Sequence, residues 1–150
     1  MDIAAKIKEA RELSDALGCV VHGFGADTGT LHLIGEDGLL HLKALSGEFP
    51  PTVLAVIQKI PVGKGMAGLA VERAQPVDAC NIQTDASGHV RPGARATGME
   101  GAIVVPVFDG ARVVGALGIA SRSQRTFNEE EKNALIEAGR ALVARPSVTQ

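Results

Sequence analysis

The chain contains no tryptophan and no tyrosine, and its four phenylalanines bring the aromatic content to only 3%. Proteins that bind single-stranded nucleic acid stack bases on aromatic side chains, so this sequence has almost nothing from which to build such a platform. A net charge of −2 also leaves no excess of basic residues to attract nucleic acid or an anionic membrane. The composition therefore predicts neither a nucleic-acid partner nor a membrane partner.

Long apolar runs and cysteines are scarce as well. No stretch approaches the ~20 apolar residues that span a bilayer, and the mixed-charge N-terminus is unlike a signal peptide. Cys19 and Cys80 allow one disulfide at most, and in a reducing compartment we expect free thiols. We therefore expect a cytoplasmic protein, and 150 residues of which 45% are hydrophobic suffice for one domain over residues 1–150.

Hydrophobic periodicity predicts a helix and then a hairpin at the start of the chain. Apolar residues recur at helical spacing over residues 3–24, which favours one long amphipathic helix, with a strand over residues 19–24 as the alternative. Alternating apolar residues on both sides of the Gly-Glu-Asp-Gly at residues 35–38 then predict a β-hairpin.

The middle of the chain predicts short elements. A helix opens at Pro50-Pro51, and a glycine turn at residues 63–68 leads into a second helix that stops before Pro76. Residues 76–80 predict a short strand. The polar, glycine-bearing segment that follows predicts a loop with one helical turn near Ala94.

A second hairpin and a final helix complete the pattern. Asp109-Gly110 between alternating apolar flanks predicts a type I′ turn, and Pro106 is expected beside an unpaired position or a bulge. Asn128 is a plausible N-cap for a helix of roughly residues 128–144, with a buried stripe at Leu135, Ala138 and Leu142. The order of elements predicts an α+β fold. A central antiparallel sheet of five to six strands carries the terminal helices on one face, and short helices and the loop enclose a ligand cavity on the other.

Two histidines lie in the arms of the first hairpin. If Ile34 pairs with Leu39 across the turn, His32 and His41 face each other with their Cβ atoms ~5 Å apart. Four leucines would then take the core face: Leu31, Leu33, Leu40 and Leu42. The histidine pair could bind a metal or titrate near pH ~6.5, or simply fill two half-exposed polar positions, and a turn over residues 37–38 would separate it. Since no third ligand is near, we predict no metal site.

Three segments of the chain resemble a GAF domain, and together they cover nearly its whole length. They are IPVGKGMAGLAVERAQPV, then NIQTD with the polar loop into ATGMEGAIVVPV, and finally DGARVVGALGIASRSQRTFNEEE. Their order is that of the family: a glycine turn and helix, a Pro-Val strand, an aspartate loop, two strands, and a helix that begins with Phe and acidic residues. The resemblance implies a PAS-like architecture that binds a small molecule and often dimerises through its terminal helices.

The resemblance also allows the known subtypes of the family to be compared with this chain. Cyclic-nucleotide-binding members carry an Asn-Lys-Phe-Asp-Glu signature, of which this chain matches only the asparagine, at Asn81. Bilin-binding members attach their ligand to a cysteine that usually has a neighbouring histidine, and neither cysteine of this chain is followed by a histidine. Free methionine-(R)-sulfoxide reductases carry a cysteine where this chain has Ala67. The resemblance therefore implies a domain that is not an enzyme and leaves its cofactor unknown. A reductase-like enzyme that uses Cys80, and a pure dimerisation module with a collapsed cavity, are the alternatives.

The glycine motif at residues 63–68 reads G-x-G-x-x-G, which in a dinucleotide site must follow a strand within a βαβ unit. Hairpins surround it here, so we interpret it as a tight turn. The same turn aims the amides of a helix N-terminus at the cavity, where a carboxylate, nitrate or phosphate could dock. Arg91 and Arg95 in the following loop could neutralise such an anion, or could bridge the carboxylates of Asp85 and Glu100.

The cavity is expected to be small and mostly apolar. Its predicted apolar lining is Met66, Leu69, Val77, Val90, Met99 and Val104. Its predicted polar contacts are His32, His41, Asn81, Asp85, Arg91 and Arg95. We therefore expect a small-molecule sensor domain of cytoplasmic signal transduction that forms a homodimer through its terminal helices. We expect it to lack an output domain of its own and to signal through a sensor kinase or another regulator.

Overall fold

The computed structural model describes residues 3–146, apart from the side chain of Pro92. The elements follow the predicted order except that the first helix is divided in two and a two-residue strand at Lys59–Ile60 is added, and the fold is α+β. The helices are α1 (Ile3–Glu9), α2 (Leu13–Gly23), α3 (Pro51–Ile57), α4 (Gly65–Arg73) and α5 (Glu129–Val143), with a 3-10 helix at Pro92–Thr97. The strands are β1 (Thr28–Ile34), β2 (Leu40–Ser46), β3 (Lys59–Ile60), β4 (Val77–Ala79), β5 (Gly101–Asp109) and β6 (Arg112–Ser121).

All six strands form one antiparallel sheet in the order β3-β2-β1-β6-β5-β4. The two hairpins meet through β1 and β6 at its centre, and the short β3 and β4 form its edges. The main core lies between one face of this sheet and the terminal helices α1, α2 and α5. Side chains of this core such as Leu17, Leu31 and Leu117 are fully buried, and each such side chain contributes roughly 1.5–3 kcal/mol through removal from water.

The start of α5 is fixed by the cap that the sequence predicts. The Asn128 side chain accepts a hydrogen bond from the Glu131 amide at 2.8 Å, and the Glu131 carboxylate accepts one from the Asn128 amide at 3.1 Å. The predicted stripe of Leu135, Ala138 and Leu142 is buried against the sheet.

The predicted single N-terminal helix is wrong in one respect, because it is broken into α1 and α2 at residues 10–12. Residues 19–23 are helical, so the alternative strand is also wrong. The break lets α1 turn towards α5, where the Arg145 guanidinium donates to the carbonyls of Ile7 and Arg11. The Arg145 side chain thus satisfies one carbonyl in the last turn of α1 and one in the break between the two helices.

The first hairpin has a different register from the predicted one. Ile34 pairs with Leu40, so five residues rather than four form the turn. The Asp37 carboxylate accepts from the Leu39 amide at 3.0 Å, and Gly38 has a φ of +79°, which together stabilise the longer turn. The sequence could not set this length, because Gly-Glu-Asp-Gly is compatible with either turn.

Relative to the predicted register, the observed one places several side chains on the other face of the sheet. His41 now lies opposite Leu33, and His32 lies opposite Leu42, so the two histidines are on opposite faces of the sheet. Leu31 and Leu33 do pack against the terminal helices, as predicted. Leu40 and Leu42 do not, because they share the opposite face with His32.

The second hairpin also turns one residue later than predicted. Asp109 pairs with Arg112, which leaves Gly110 and Ala111 as the turn. Only Gly110 has a positive φ, at +63°, whereas a type I′ turn needs two such residues, so the predicted turn type is wrong. Pro106 lies next to a bulge between Val107 and Phe108, in agreement with its expected position.

Alanine should have opposite effects at two glycines. A Cβ at Gly115 would collide with the His32 carbonyl oxygen of the adjacent strand, and overpacking of this kind costs about 1–3 kcal/mol. A Cβ at Gly18, inside α2, would meet only the Ser46 hydroxyl at 3.7 Å. Gly18→Ala should therefore raise the free energy of unfolding by about 0.5–1 kcal/mol, and Gly115→Ala should lower it. Urea denaturation of both variants measures this, and a stabilised Gly115→Ala protein would contradict the β1–β6 pairing.

Candidate functional site

A cavity of about 450 Å³ lies on the sheet face opposite the terminal helices. This volume falls within the range of sites that bind small molecules. The floor of the cavity comes from β1 and β5, and its roof comes from α3, the start of α4 and the 3-10 helix. The lining residues are Thr30, His32, Phe49, Thr52, Val53, Val56, Ile57, Ile60, Lys64, Gly65, Met66, Ala67, Val90, Arg91, Gly93, Ala94, Ala96, Thr97 and Val104.

Small side chains in the roof explain why the space stays open. Ala67 on α4 and three residues of the 3-10 helix, Gly93, Ala94 and Ala96, contribute little volume above the sheet. The turn before α4 is tight: Gly63 and Gly65 have φ values of +90° and +65°, and a Cβ at Gly68 would strike the Pro61 carbonyl. This agrees with the tight-turn interpretation of the glycine motif, and the antiparallel sheet around it offers no βαβ unit.

Positive groups gather where α4 begins. The first three amides of the helix belong to Gly65, Met66 and Ala67, which line the cavity and have no acceptor among residues 3–146. The Arg91 side chain crosses the same point, since its Cγ and Cδ lie 3.0 and 2.9 Å from where a Gly65 Cβ would stand. Lys64 occupies the N-cap position without capping the helix. This corner, formed by residues 64–67 and Arg91, is the positive corner of the cavity.

No acidic side chain among the described lining residues neutralises the positive corner. Lys64 and Arg91 are the charged residues of the lining, and it contains neither aspartate nor glutamate. Within the described part of the chain, neither cation forms an ion pair or a side-chain hydrogen bond. The Glu72 carboxylate lies beside Gly63 but does not pair with Lys64.

His32 forms part of the cavity floor. Its side chain is almost fully buried, with the residue only 2% exposed, and its Nε2 donates to the Ile57 carbonyl at 2.8 Å. Burial lowers the pKa of this imidazole, although the bond to Ile57 opposes the shift. The ring is therefore neutral near pH 7. Its proton is then on Nε2, and its Nδ1 is an acceptor that no described residue uses.

The cavity brings together only some of the residues that the sequence predicts for the site. His32, Met66, Arg91 and Val104 line it, and so does Val90. The other predicted residues do not line it, namely His41, Leu69, Asn81, Asp85, Arg95 and Met99, together with Val77. A direct role in ligand binding stays a prediction for each residue of the two groups.

Several of the second group support the loop above the sheet. Asn81 accepts from the Gln83 amide at 2.9 Å, and Met99 is buried beneath the loop. Arg95 donates to the carbonyls of Ile82 and Asp85 at 3.4 and 3.1 Å. The expected bridge from Arg91 or Arg95 to a carboxylate of Asp85 or Glu100 is wrong, since no such ion pair occurs in residues 3–146.

His41 lies on the far face of the sheet, where its Nε2 bonds the Asp37 carboxylate at 2.8 Å. This bond is the largest cause of the lowered pKa of Asp37. The separation of the two histidines removes the metal pair considered from the sequence. Across residues 3–146 no group of three metal-ligating side chains comes together.

Residues of α3 line the cavity although none of them is among the residues predicted for the site. This helix places Thr52, Val53, Val56 and Ile57 in the lining, and Phe49 precedes it. Val56 is also 52% exposed, so it stands at the mouth of the cavity. One feature of the sequence could have indicated this role. The seven-residue α3 has apolar side chains on two sides, whereas packing on a sheet requires them on one side only.

Both thiols lie outside the cavity lining. Cys19 is half-buried on α2, on the side of the terminal helices, and Cys80 is exposed just after β4. Neither forms a disulfide, and the Cys80 Sγ lies 4.0 Å from the Gln124 side-chain oxygen.

A family model described as GAF domain matches residues 9–142 of the chain. No curated protein sequence matches this chain significantly. Within the described residues, no helix is long and apolar enough to cross a membrane.

Solved structures share the fold at low sequence identity. One is a free methionine-R-sulfoxide reductase from Neisseria meningitidis in complex with its substrate, with a TM-score of 0.75 and 21% identity over 98% of this chain and 85% of that one. Another is the GAF domain of a phosphoenolpyruvate-protein phosphotransferase from Coxiella burnetii, with a TM-score of 0.75 and 22% identity over 97% and 88%. The corresponding domain from Acinetobacter has a TM-score of 0.73 and 21% identity over 95% and 86%.

Acid should destabilise the fold through His32. Burial lowers the pKa of His32 in the folded chain below the unfolded value of 6.5, so the unfolded chain takes up the proton first and stability is lost as the pH falls. His32→Gln should reduce the loss of unfolding free energy between pH 7.5 and 5.5 by up to ~1 kcal/mol. Urea denaturation at both pH values measures the difference. A loss in His32→Gln as large as that of the wild type would show that burial does not lower the pKa of His32.

Proposed function

Since the chain belongs to the GAF domain family, we propose that it is a small-molecule-binding sensor domain of cytoplasmic signal transduction, with its ligand in the cavity beneath α3 and α4. The observation that carries this proposal is the cavity itself. Protein interiors are normally close-packed, yet here about 450 Å³ stays open beside mostly apolar side chains. Unfilled apolar space is destabilising, and a ligand would restore the missing contacts.

The sheet offers a route from the ligand to the terminal helices. Val104 on β5 faces the cavity, and its neighbours Ile103 and Val105 are fully buried in the core under α1, α2 and α5. Displacement of β5 by a ligand would therefore be felt by the helices on the opposite face. We propose that these helices pass the signal to a sensor kinase or another regulator.

The homodimer through the terminal helices stays part of this proposal. In the described residues the large apolar side chains that are strongly exposed are Val56 and Val62, and neither is on a terminal helix. The outer surfaces of α1, α2 and α5 are mainly polar and small. A dimer formed there would accordingly rest on polar contacts and backbone proximity rather than on a large apolar seam.

Filling the cavity should abolish ligand occupancy. Val104→Phe places a larger side chain in the floor, whereas Val62→Phe makes the same change at a 39% exposed position outside the lining. Native mass spectrometry of freshly purified protein should show a bound small molecule in the wild type and Val62→Phe, but not in Val104→Phe. The absence of a bound molecule from all three proteins would contradict the proposal, as would its retention in a folded Val104→Phe variant.

The alternative function is a thiol enzyme that reduces free methionine-(R)-sulfoxide. Its support is at the level of the fold alone, since one of the three solved structures above is such a reductase and the other two are not. Against it, Ala67 lines the cavity where the resemblance would place a cysteine, and Cys80 is outside the lining. A thiol cycle also needs a resolving partner near the nucleophile, and Cys19 lies on the other side of the sheet.

We expect no turnover of free methionine-(R)-sulfoxide when the protein is incubated with it and excess dithiothreitol. Amino-acid analysis of methionine released over time measures the reaction. The control is Cys80→Ser, which should behave as the wild type does. Methionine formation that disappears in Cys80→Ser, while Cys19→Ser retains it, would replace the sensor proposal by the enzyme.

A further inference from the structure

We propose that the cavity selects organic anions with an uncharged, largely apolar body and excludes zwitterions and cations. This rests on the proposed function and names the class of ligand for the same site. The sensor assignment alone leaves the class open, because a cavity of this size could hold an amino acid, a nucleotide base or a fatty acid equally well.

The first argument comes from the charges of the lining. Its charged side chains are the cations Lys64 and Arg91, both at the positive corner and both without an anionic partner in residues 3–146. Free amides at the start of α4 add to the positive potential there. One anionic group placed at this corner would be met by two side chains and by the helix N-terminus together.

The second argument comes from what the rest of the cavity offers. Away from the positive corner the lining is mostly apolar, with Val53, Ile57, Ile60 and Val104 as examples, and its polar side chains there are uncharged: Thr30, His32, Thr52 and Thr97. No carboxylate lines it, so a buried ammonium group would find no counter-ion. A free amino acid would place its ammonium beside Lys64 and Arg91, where like charges repel. A longer zwitterion would place it among apolar side chains, where an unpaired ion costs several kcal/mol.

The third argument comes from His32, which is 2% exposed. Its Nε2 is committed to the Ile57 carbonyl, no described residue bonds its Nδ1, and the residue lines the cavity. A ligand hydroxyl or amide N–H could donate to Nδ1, so an uncharged donor in the ligand body is tolerated. An ammonium group is a poorer match, because a neutral imidazole supplies no negative charge to offset its desolvation.

A matched series of eight-carbon compounds tests this selectivity by isothermal titration calorimetry, which needs no tryptophan or tyrosine signal. The series is octanoate, 8-hydroxyoctanoate, 8-aminooctanoate and 1-octanol. Octanoate and 8-hydroxyoctanoate should bind with similar affinity. 8-Aminooctanoate, which differs from the hydroxyl compound mainly in its charge, should bind at least ~10-fold more weakly.

Variants of the positive corner assign the anion. Lys64→Ala and Arg91→Ala should each weaken octanoate by ~3- to 10-fold and leave 1-octanol unchanged, because the alcohol carries no charge. The control is Arg73→Ala, at the exposed end of α4 and outside the lining, which should leave both affinities unchanged. Equal weakening of octanoate in Arg73→Ala would point to a general charge effect and overturn the assignment.

The outcomes separate this inference from the proposed function. If 8-aminooctanoate binds as tightly as 8-hydroxyoctanoate, or if no compound binds at millimolar concentration, the selectivity proposal is wrong. The sensor proposal would survive either result provided that native mass spectrometry finds a molecule that Val104→Phe displaces. If that molecule is itself a zwitterion or a cation, the selectivity proposal is overturned directly.

Discussion

Only one face of the sheet is completely covered by packed side chains, and the rest of the structure depends on this constraint. Side chains of a strand alternate between two faces, and on β5 the residues Ile103, Val105 and Val107 are all committed to the core beneath the terminal helices. Three helices supply enough apolar surface to complete that face. The opposite face receives only α3, the start of α4 and a 3-10 helix with Gly93 and small side chains, which cannot close over it. A solid core and an open cavity are thus two results of the same alternation.

Much of the fold could be predicted because its signals are local. Helical spacing and the Asn128 cap fix α5, and glycine and proline mark the ends of α4. The errors arise where particular side-chain contacts and irregularities decide. Arg145, more than a hundred residues away, bonds carbonyls at the break after α1, and the register of the first hairpin follows from the Asp37 side chain in the turn and from a bulge between Leu31 and His32. Periodicity contains no information about either contact.

The candidate site was predictable to a similar extent. The glycine turn predicts that Met66, at the start of α4, faces the cavity. The segments that resemble the family contain Arg91 and Val104, which also line it. Asn81 is a predicted contact because it is polar and matches one position of a family signature, yet its side chain bonds the Gln83 amide and the Glu100 carboxylate. Polarity alone does not distinguish a side chain that holds a loop from one that meets a ligand. The contribution of α3 depends on how a short helix sits over the sheet, which no local pattern states.

The shortness of the two edge strands has a consequence for how the molecule behaves at high concentration. β3 has two residues and β4 has three, and each carries an exposed charge, Lys59 on one edge and Asp78 on the other. An edge of this length offers few free backbone groups to a neighbouring chain, and the charge penalises a close approach. The edge strands themselves are thus poor templates for fibre growth, and the longer β5 carries Pro106, which has no amide to donate, beyond the residues that pair with β4.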